Sequence, residues 1–158
     1  MCAVFRSPAP LRRNLDGGHA NARYGIQTRA EDDADWTAVK IEGPSGDLIL
    51  QNDSTRAAVF LAGGIGITPF RSIVRWATKE KLPQRVFLFY SNRRPEDAPF
   101  LAELQSLERD NPKYKLIASM TEMEKSHQPW DGETGFIDQE MLGRQLKGAA
   151  SPIYYIAG

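Results

Sequence analysis

The sequence predicts an α/β fold with a doubly wound parallel sheet, preceded by a short β-hairpin. Three observations predict this fold. Short and almost wholly apolar runs such as Ala57–Ala62 are typical of strands that are buried on both faces. Stretches with apolar residues at helical spacing separate these runs. A glycine-rich loop, Gly63–Gly66, joins the first run to the first helical stretch, and such alternation implies parallel strands with right-handed crossovers.

Composition limits the class of protein. The 158 residues, of which 41% are hydrophobic, suffice for one α/β core and a short appendage. Lys and Arg together number 20, as do Asp and Glu, so nucleic acid and membrane surfaces are not expected partners. One cysteine and two histidines predict neither a disulfide framework nor a metal site. Without a secretion signal or an apolar run of ~18 residues, we expect a cytoplasmic protein.

The amino-terminal third divides into two predicted segments. Residues 1–38 mix arginines, prolines, glycines and an acidic run without a sustained period, which predicts an irregular arm. Residues 39–52 are predicted to form a hairpin, because Val39–Glu42 and Leu48–Leu50 flank the turn sequence Gly43–Asp47. Residues 53–158 then form the main domain.

The elements of the main domain follow in order. After the first strand, Thr68 is expected to cap the first helix and Pro69 to occupy its first position. The apolar face of this helix repeats at i, i+3, i+4 and i+7, at Phe70, Ile73, Val74 and Ala77. The later elements are predicted as strand Arg85–Tyr90, a helix behind Pro99, strand Tyr114–Met120, helix Asp138–Leu146 opened by Asp138, and strand Ile153–Ile156.

The last predicted strand leaves the sheet unfinished. The sequence ends at Gly158, where a doubly wound fold would turn into another helix. We therefore expect a domain that is incomplete at its carboxyl terminus. Its exposed sheet edge could pair with another chain in a homo-oligomer or be covered by the N-terminal arm.

The loop after the first strand has the features of a diphosphate site. Gly64 and Gly66 let a ligand approach the backbone, and the N–H groups that begin the helix favour an anion. Pro69 stands where the common dinucleotide fingerprint has its third glycine, and no Gly-Lys-Ser/Thr follows as in a P-loop. A tight turn without a ligand is the alternative. For a diphosphate site, valine at Gly64 or Gly66 should weaken binding far more than folding.

Four segments resemble the ferredoxin–NADP reductase superfamily, in the same order. Val59–Pro69 closely resembles its pyridine-nucleotide loop. The segment Gly43–Asp47 is similar to the end of the flavin barrel, Tyr90–Arg93 to the adenosine-side loop, and Tyr154–Gly158 to the nicotinamide-side strand end. The resemblance covers most of the chain.

The resemblance implies a Rossmann-like, ferredoxin reductase-type domain that binds NAD(P)H and passes a hydride to FAD or FMN for electron transfer. The implied partners are a flavin-bearing domain or protein and ferredoxin or another electron carrier. Thr68 and Ala157 would flank the nicotinamide as the catalytic residues, with Ala157 where the family often has cysteine. The implied cofactor contacts are Gly63, Gly64, Ile65, Gly66, Ile67, Thr68, Pro69, Ser91, Asn92, Arg93, Arg94 and Gly158.

Two alternatives remain open. Arg93 and Arg94 could pair with a 2′-phosphate, which favours NADP over NAD, or they could pair with Glu96 and Asp97. The flavin domain is largely absent from the sequence, because too few residues precede Val39 for the strands of a barrel. The chain is therefore predicted to be the nucleotide module of a flavin oxidoreductase, or a non-catalytic remnant that binds nucleotide or acts through protein contacts.

Overall fold

The computed structural model describes residues 3–5, 39–41, 48–149 and 151–158. The chain divides into two compact units, residues 1–47 and 48–158. In the first unit, β1 (Ala3–Phe5) pairs antiparallel with β2 (Val39–Ile41).

The hairpin prediction is wrong in its pairing, and the arm is not wholly irregular. Val39–Ile41 pairs with Ala3–Phe5, which lies in the predicted arm, and Leu48–Leu50 is not a strand. A three-residue strand is too short to show alternation in the sequence. The Leu50 side chain is buried in the core of the second unit, whereas Ile49 is exposed. The predicted turn, Gly43–Asp47, lies outside the described residues.

The second unit contains a five-stranded parallel sheet, which confirms the predicted fold class. Its strands are β3 (Ala58–Gly63), β4 (Val86–Asn92), β5 (Tyr114–Met120), β6 (Glu133–Thr134) and β7 (Ile153–Ala157). The strand order is β6-β5-β4-β3-β7. Of these strands, only the two-residue β6 was not predicted, since turn residues surround it.

Three α-helices connect the strands, close to their predicted positions. They are α1 (Ile67–Lys79), α2 (Leu101–Asp110) and α3 (Gln139–Gln145). Asp138 caps α3 as predicted, since its carboxylate accepts a hydrogen bond of 2.8 Å from the N–H of Met141. The prediction that Thr68 caps α1 is wrong, because α1 begins one residue before it.

Helices cover both faces of the sheet. On one face Phe60 of β3 stacks on Phe70 of α1, with ring centroids 4.6 Å apart, in a cluster that includes Leu104 of α2. On the other face Val59 belongs to a cluster with Met141 of α3. The strands are therefore buried on both sides, as their apolar runs predict.

The strand order places a crevice at one edge of the sheet. From β3 the chain moves through β4 and β5 in one direction, while β7 lies on the opposite side of β3. The order thus reverses at β3, and in doubly wound folds ligands bind outside the carboxyl ends of strands at such a reversal. No helix among the described residues is long and apolar enough to cross a membrane.

Candidate functional site

A cleft of about 620 Å³ lies at the carboxyl ends of β3, β4 and β5. Residues from five separate segments line it, namely Gly64, Ser91, Asn92, Arg93, Arg94, Asp97, Thr121, Glu122 and Phe136. Five of these nine, from Gly64 to Arg94, are among the predicted cofactor contacts. The structure therefore brings the glycine loop and the end of the second predicted strand to one cavity.

The glycine loop is a turn of 3-10 helix, Gly64–Gly66, that continues into α1. Gly64 has φ +49°, a backbone conformation that residues with a side chain rarely adopt. No atom lies within 4 Å of a Cβ built on Gly64. Among the described residues, no side chain caps the start of the 3-10 turn or the start of α1. The first turn of α1 also contains no acidic residue. These features leave the amino-terminal end of α1 open to an anion.

Gly66 lies where the backbone of the loop packs closely against the end of β7. A Cβ on Gly66 would lie 2.5 Å from the carbonyl carbon of Ala157 and 2.7 Å from Cα of Gly158. Since both neighbours are backbone, they cannot rotate away as a side chain could. The expectation that valine at Gly66 would spare folding is therefore wrong, because a side chain there collides with the end of β7.

The same close approach brings other predicted residues together. A Cβ on Gly158 would lie 3.2 Å from the Gly63 nitrogen, and Ala157 is paired with Ala62 in the sheet. Gly63, Gly66, Ala157 and Gly158 thus meet where β3 and β7 end. This junction adjoins the cleft through Gly64, although none of the four lines the cleft itself.

The remaining residues predicted to contact a cofactor in the glycine loop differ in the groups that they expose. Thr68 lies in the first turn of α1 and its hydroxyl donates a hydrogen bond of 2.9 Å to the Ile65 carbonyl. The Ile67 side chain is fully buried in the core, and its N–H bonds to the carbonyls of Gly64 and Ile65. Ile65 is exposed, and Pro69 has no N–H to donate. Contacts from Ile67 and Pro69 to a cofactor remain predictions.

Backbone hydrogen bonds fix the opposite wall of the cleft. The Thr121 N–H donates to the Asn92 carbonyl at 3.0 Å, and the Glu122 N–H donates to the Arg93 carbonyl at 2.8 Å. These bonds extend the pairing of β4 and β5 beyond the strands. They place Thr121 and Glu122 beside Arg93 at the edge of the cleft formed by the ends of β4 and β5, which is called the rim below.

Ion pairs dominate this rim. Arg94 donates two hydrogen bonds to the Asp97 carboxylate, at 2.7 and 3.0 Å, and lies 3.8 Å from Glu96. These bonds raise the pKa of Arg94 and hold the pKa of Asp97 below its ordinary value. Arg93 is 78% exposed and lies 3.9 Å from Glu122. For Arg94, the structure thus shows the pairing that the sequence left as an alternative to phosphate binding.

Phe136 projects into the cleft from the loop after β6. The buried Ser119 hydroxyl donates to the Gly135 carbonyl at 2.6 Å, and the Gly135 N–H donates to the Met120 carbonyl at 2.9 Å. Gly135 itself has φ +87°. Together these contacts hold the turn that leaves the Phe136 ring 80% exposed. A large apolar side chain at a cavity is suited to contact a planar ligand.

Sequence reasoning did not assign Asp97, Thr121, Glu122 or Phe136 to the site. Thr121 and Glu122 directly follow the third predicted strand, so the rule that ligands bind at the carboxyl ends of strands could have found them. For Asp97, the sequence indicates only a possible pairing with the neighbouring arginines. Phe136 follows an Asp-Gly and Thr-Gly turn, and an isolated aromatic residue there has no periodic signature.

Comparisons with known proteins give the family. Residues 60–158 match the model of the oxidoreductase NAD-binding domain. A component of the Na⁺-translocating NADH-quinone reductase of Methylococcus capsulatus is 30% identical over 124 residues, which are 76% of this chain and 30% of that protein. NADH-cytochrome b5 reductase 1 of Mortierella alpina is 29% identical over 158 residues, 95% of this chain and 52% of that protein.

The fold has solved counterparts. The cytochrome b5 reductase domain of Ulva prolifera nitrate reductase superposes with a TM-score of 0.62 at 21% identity, covering 83% of this chain and 53% of that one. The chain therefore spans between about a third and half of the length of these relatives. The chain belongs to the oxidoreductase NAD-binding domain family, within the ferredoxin-reductase-like FAD/NAD-binding oxidoreductases.

Proposed function

We propose that the second unit binds NAD(P)H in the cleft and presents its nicotinamide for hydride transfer to FAD or FMN. The observation that carries the proposal is the open 3-10 turn Gly64–Gly66 that leads into the uncapped start of α1, at the point where the strand order reverses. A dinucleotide diphosphate has the charge that such a helix end favours.

The cleft offers separate surfaces to the rest of the nucleotide. The ends of β4 and β5, with Ser91, Asn92 and Arg93, would hold the adenosine part. The exposed ring of Phe136 provides an apolar face against which a base can stack. The nicotinamide would then lie towards Thr68 and Ala157, the predicted catalytic residues.

The protein would contribute position, and the nucleotide the chemistry. Bound NAD(P)H supplies the hydride. The Thr68 hydroxyl, which is oriented by its bond to the Ile65 carbonyl, can still accept a hydrogen bond from an amide. Ala157 contributes backbone and a small side chain where the strand ends, so a flat ring could approach closely.

The relatives' names suggest the wider reaction. The two curated relatives are named as NADH-dependent reductases of a quinone and of cytochrome b5. We infer an electron-transfer role, with a flavin-bearing domain or protein as hydride acceptor and a further electron carrier beyond it.

Binding is tested by titrating the full chain with NADH and following nicotinamide fluorescence. Gly64→Ala should weaken binding about tenfold, because its Cβ enters the cleft and strains the loop. Gly148→Ala is the matched control. It also replaces a glycine of positive φ, +79°, with no atom within 4 Å of the added Cβ, but in the turn after α3 and away from the cleft. Equal affinities of the two variants would contradict the proposal.

Hydride transfer is tested separately by mixing the chain with NADH and free FMN. Loss of the absorbance of the reduced nicotinamide should depend on the protein and slow in Thr68→Val. Binding without turnover, even when a flavin domain is supplied in trans, would favour the non-catalytic alternative.

A further inference from the structure

A second cavity, of about 170 Å³, lies beside β5 and shares no lining residue with the nucleotide cleft. Its walls are one side of α2, the stretch Lys115–Ala118 of β5, and the segment Trp130–Glu133 that leads into β6. The space equals about five or six water molecules at about 30 Å³ each, so it suits one large side chain. The cavity therefore lies outside the site of the proposed function.

This cavity adjoins the free edge of β5. Among the described residues, β6 pairs with β5 only through Ser119 and Met120, at the carboxyl end of the strand. The Leu116 N–H points to the same side as β6, away from β4, since it donates to the Glu108 carboxylate at 3.3 Å. Alternate residues of a strand share a side, so the N–H of Ala118 also points to this edge. Such an edge is a template for a further strand.

Glu108 occupies the place of a strand at this edge. Its bond to the Leu116 N–H, at 3.3 Å, is longer than the usual 2.7–3.2 Å, and the carboxylate is carried by α2. An added strand would offer Leu116 a backbone carbonyl instead. The Glu108 carboxylate would then be released to pair with a cation on that strand.

Trp130 forms the aromatic part of the cavity wall. Its indole N–H donates to the Glu133 carbonyl at 2.8 Å. Its ring lies against the backbone of Gly132, where an added Cβ would be 2.7 Å from the ring atom Cε2. These contacts fix the orientation of the half-buried ring. A tryptophan ring attracts the guanidinium of arginine by a cation–π interaction.

The charges around the cavity favour a cation. Three carboxylates, on Glu108, Asp131 and Glu133, and one ammonium, on Lys115, line it. Glu133 is paired with Arg144 at 2.7 Å. In the described part of the chain, no cationic group lies within 4 Å of the other two carboxylates. A basic side chain is therefore preferred to an acidic one.

We propose that this cavity binds an extended, arginine-containing segment of a partner protein, which adds to the edge of β5 as a further strand. The backbone of the segment would bond to Leu116 and Ala118, and its arginine would lie against Trp130 and pair with Glu108 and Asp131. In strand addition, main-chain bonds supply affinity and a side-chain pocket supplies specificity. The inference goes beyond the proposed function, because nucleotide binding does not require this surface.

The test is an NMR titration of the isotope-labelled full chain with a capped heptapeptide of alternating threonine and valine, in which arginine replaces the central valine. We expect saturable binding, with the largest shifts at the amides of Leu116 and Ala118 and at the indole N–H of Trp130. The Gly64 amide, at the nucleotide cleft, should not shift.

Three altered probes separate the contributions of charge and backbone. The peptide with glutamate in place of arginine, and acetyl-arginine-amide alone, should each bind at least about tenfold more weakly. Two further peptides are methylated on one or the other set of alternate backbone nitrogens. Methyl groups on the set that faces β5 should weaken binding more than about tenfold, whereas those on the other set should change it less than about threefold.

Variants of the chain test the pocket. Trp130→Leu should weaken binding of the arginine peptide about fivefold, whereas Trp76→Leu, at a tryptophan of α1 that is 52% exposed and does not line the cavity, should not. Asp131→Asn should weaken it about threefold, and Glu124→Gln, an exposed carboxylate elsewhere, should leave it unchanged. Thermal melting shows that each variant is folded. The peptide series needs no variant and decides the matter if Trp130→Leu does not fold.

The contrary results are distinct. Equal affinity for the arginine and glutamate peptides, or shifts that spare Leu116 and Ala118, would overturn the proposal. Equal losses with the two methylated peptides would contradict strand addition, and equal binding of acetyl-arginine-amide would replace it with a site for a small cation. None of these results affects nucleotide binding, which titration with NADH tests separately.

Discussion

The two sides of the cleft differ in the protein groups that form them. The side at the end of β3 consists of backbone. Gly64 lines the cleft there, and next to it Gly66 packs against the end of β7 without room for a side chain. The side at the ends of β4 and β5 consists of charged side chains on a frame of backbone hydrogen bonds; Arg93 and Asp97 are exposed, and Arg94 is half-buried. The first side is defined by shape, and the second by charge.

This difference predicts how each side responds to change. Backbone that is already in contact with backbone cannot accommodate added volume, so mutations there should affect folding and binding together. Exposed ion pairs contribute little to folding, so mutations among them should change ligand preference at almost constant stability.

The largest effect is expected at Gly66. Gly66→Val should destabilise the second unit by about 3 kcal/mol, because overpacking costs 1–3 kcal/mol and this contact is with backbone. Denaturant unfolding would measure the loss. The control is Gly143→Ala in α3, where a Cβ meets no atom within 4 Å and helix propensity predicts a gain of up to about 1 kcal/mol. A Gly66→Val chain as stable as the unaltered one would show that the loop has room.

A smaller effect is expected beneath the charged side, at Tyr90. Its ring is fully buried in β4, and its hydroxyl donates to the Pro99 carbonyl at 3.0 Å. Tyr90→Phe should cost about 1 kcal/mol, the usual net value of one hydrogen bond. Equilibrium unfolding at neutral pH would detect it.

Tyr90 also predicts a pH dependence. Burial raises the pKa of Tyr90 from 10.0 to about 12 in the folded chain. Since the folded pKa is the higher one, the stabilising contribution is complete below pH 10 and is lost as the pH rises towards 12. Unfolding followed between these values should show a shallower loss of stability in Tyr90→Phe. Identical slopes would mean that Tyr90 does not titrate in this way.

The smallest effect on stability is expected at Ser126. Ser126→Ala removes the hydroxyl that donates to Glu96, yet the contact is exposed, so the melting temperature should not change measurably. A large loss of stability would show that the charged side is structural after all.

The sequence predicted the backbone-built side more completely than the charged side. Gly64 and Gly66 lie between an apolar strand and an amphipathic helix, and that local order identifies a loop at a strand's carboxyl end. The close approach of Gly66 to Ala157 could not be predicted, since the two residues are far apart in the sequence and meet only through the pairing of β3 with β7.

The charged side depended on contacts that the sequence left undecided. Arg93 and Arg94 line the cleft, but the choice between a phosphate and Asp97 as the partner of Arg94 depended on the geometry of the Pro95–Asp97 turn. Phe136 reaches the cleft because Ser119 and Gly135 fix the turn before it. Such contacts between distant segments leave no periodic signal.

Diphosphate binding at the uncapped turn Gly64–Gly66 underlies the proposed function. Its most direct test is an NMR titration of the isotope-labelled chain with ADP, following backbone amide resonances. We expect the largest shifts at Gly64, Ile65 and Gly66, with smaller shifts at Asn92 and Arg93 and none near Gly148. Saturating ADP that leaves the three loop amides unmoved, while other residues shift, would contradict the claim.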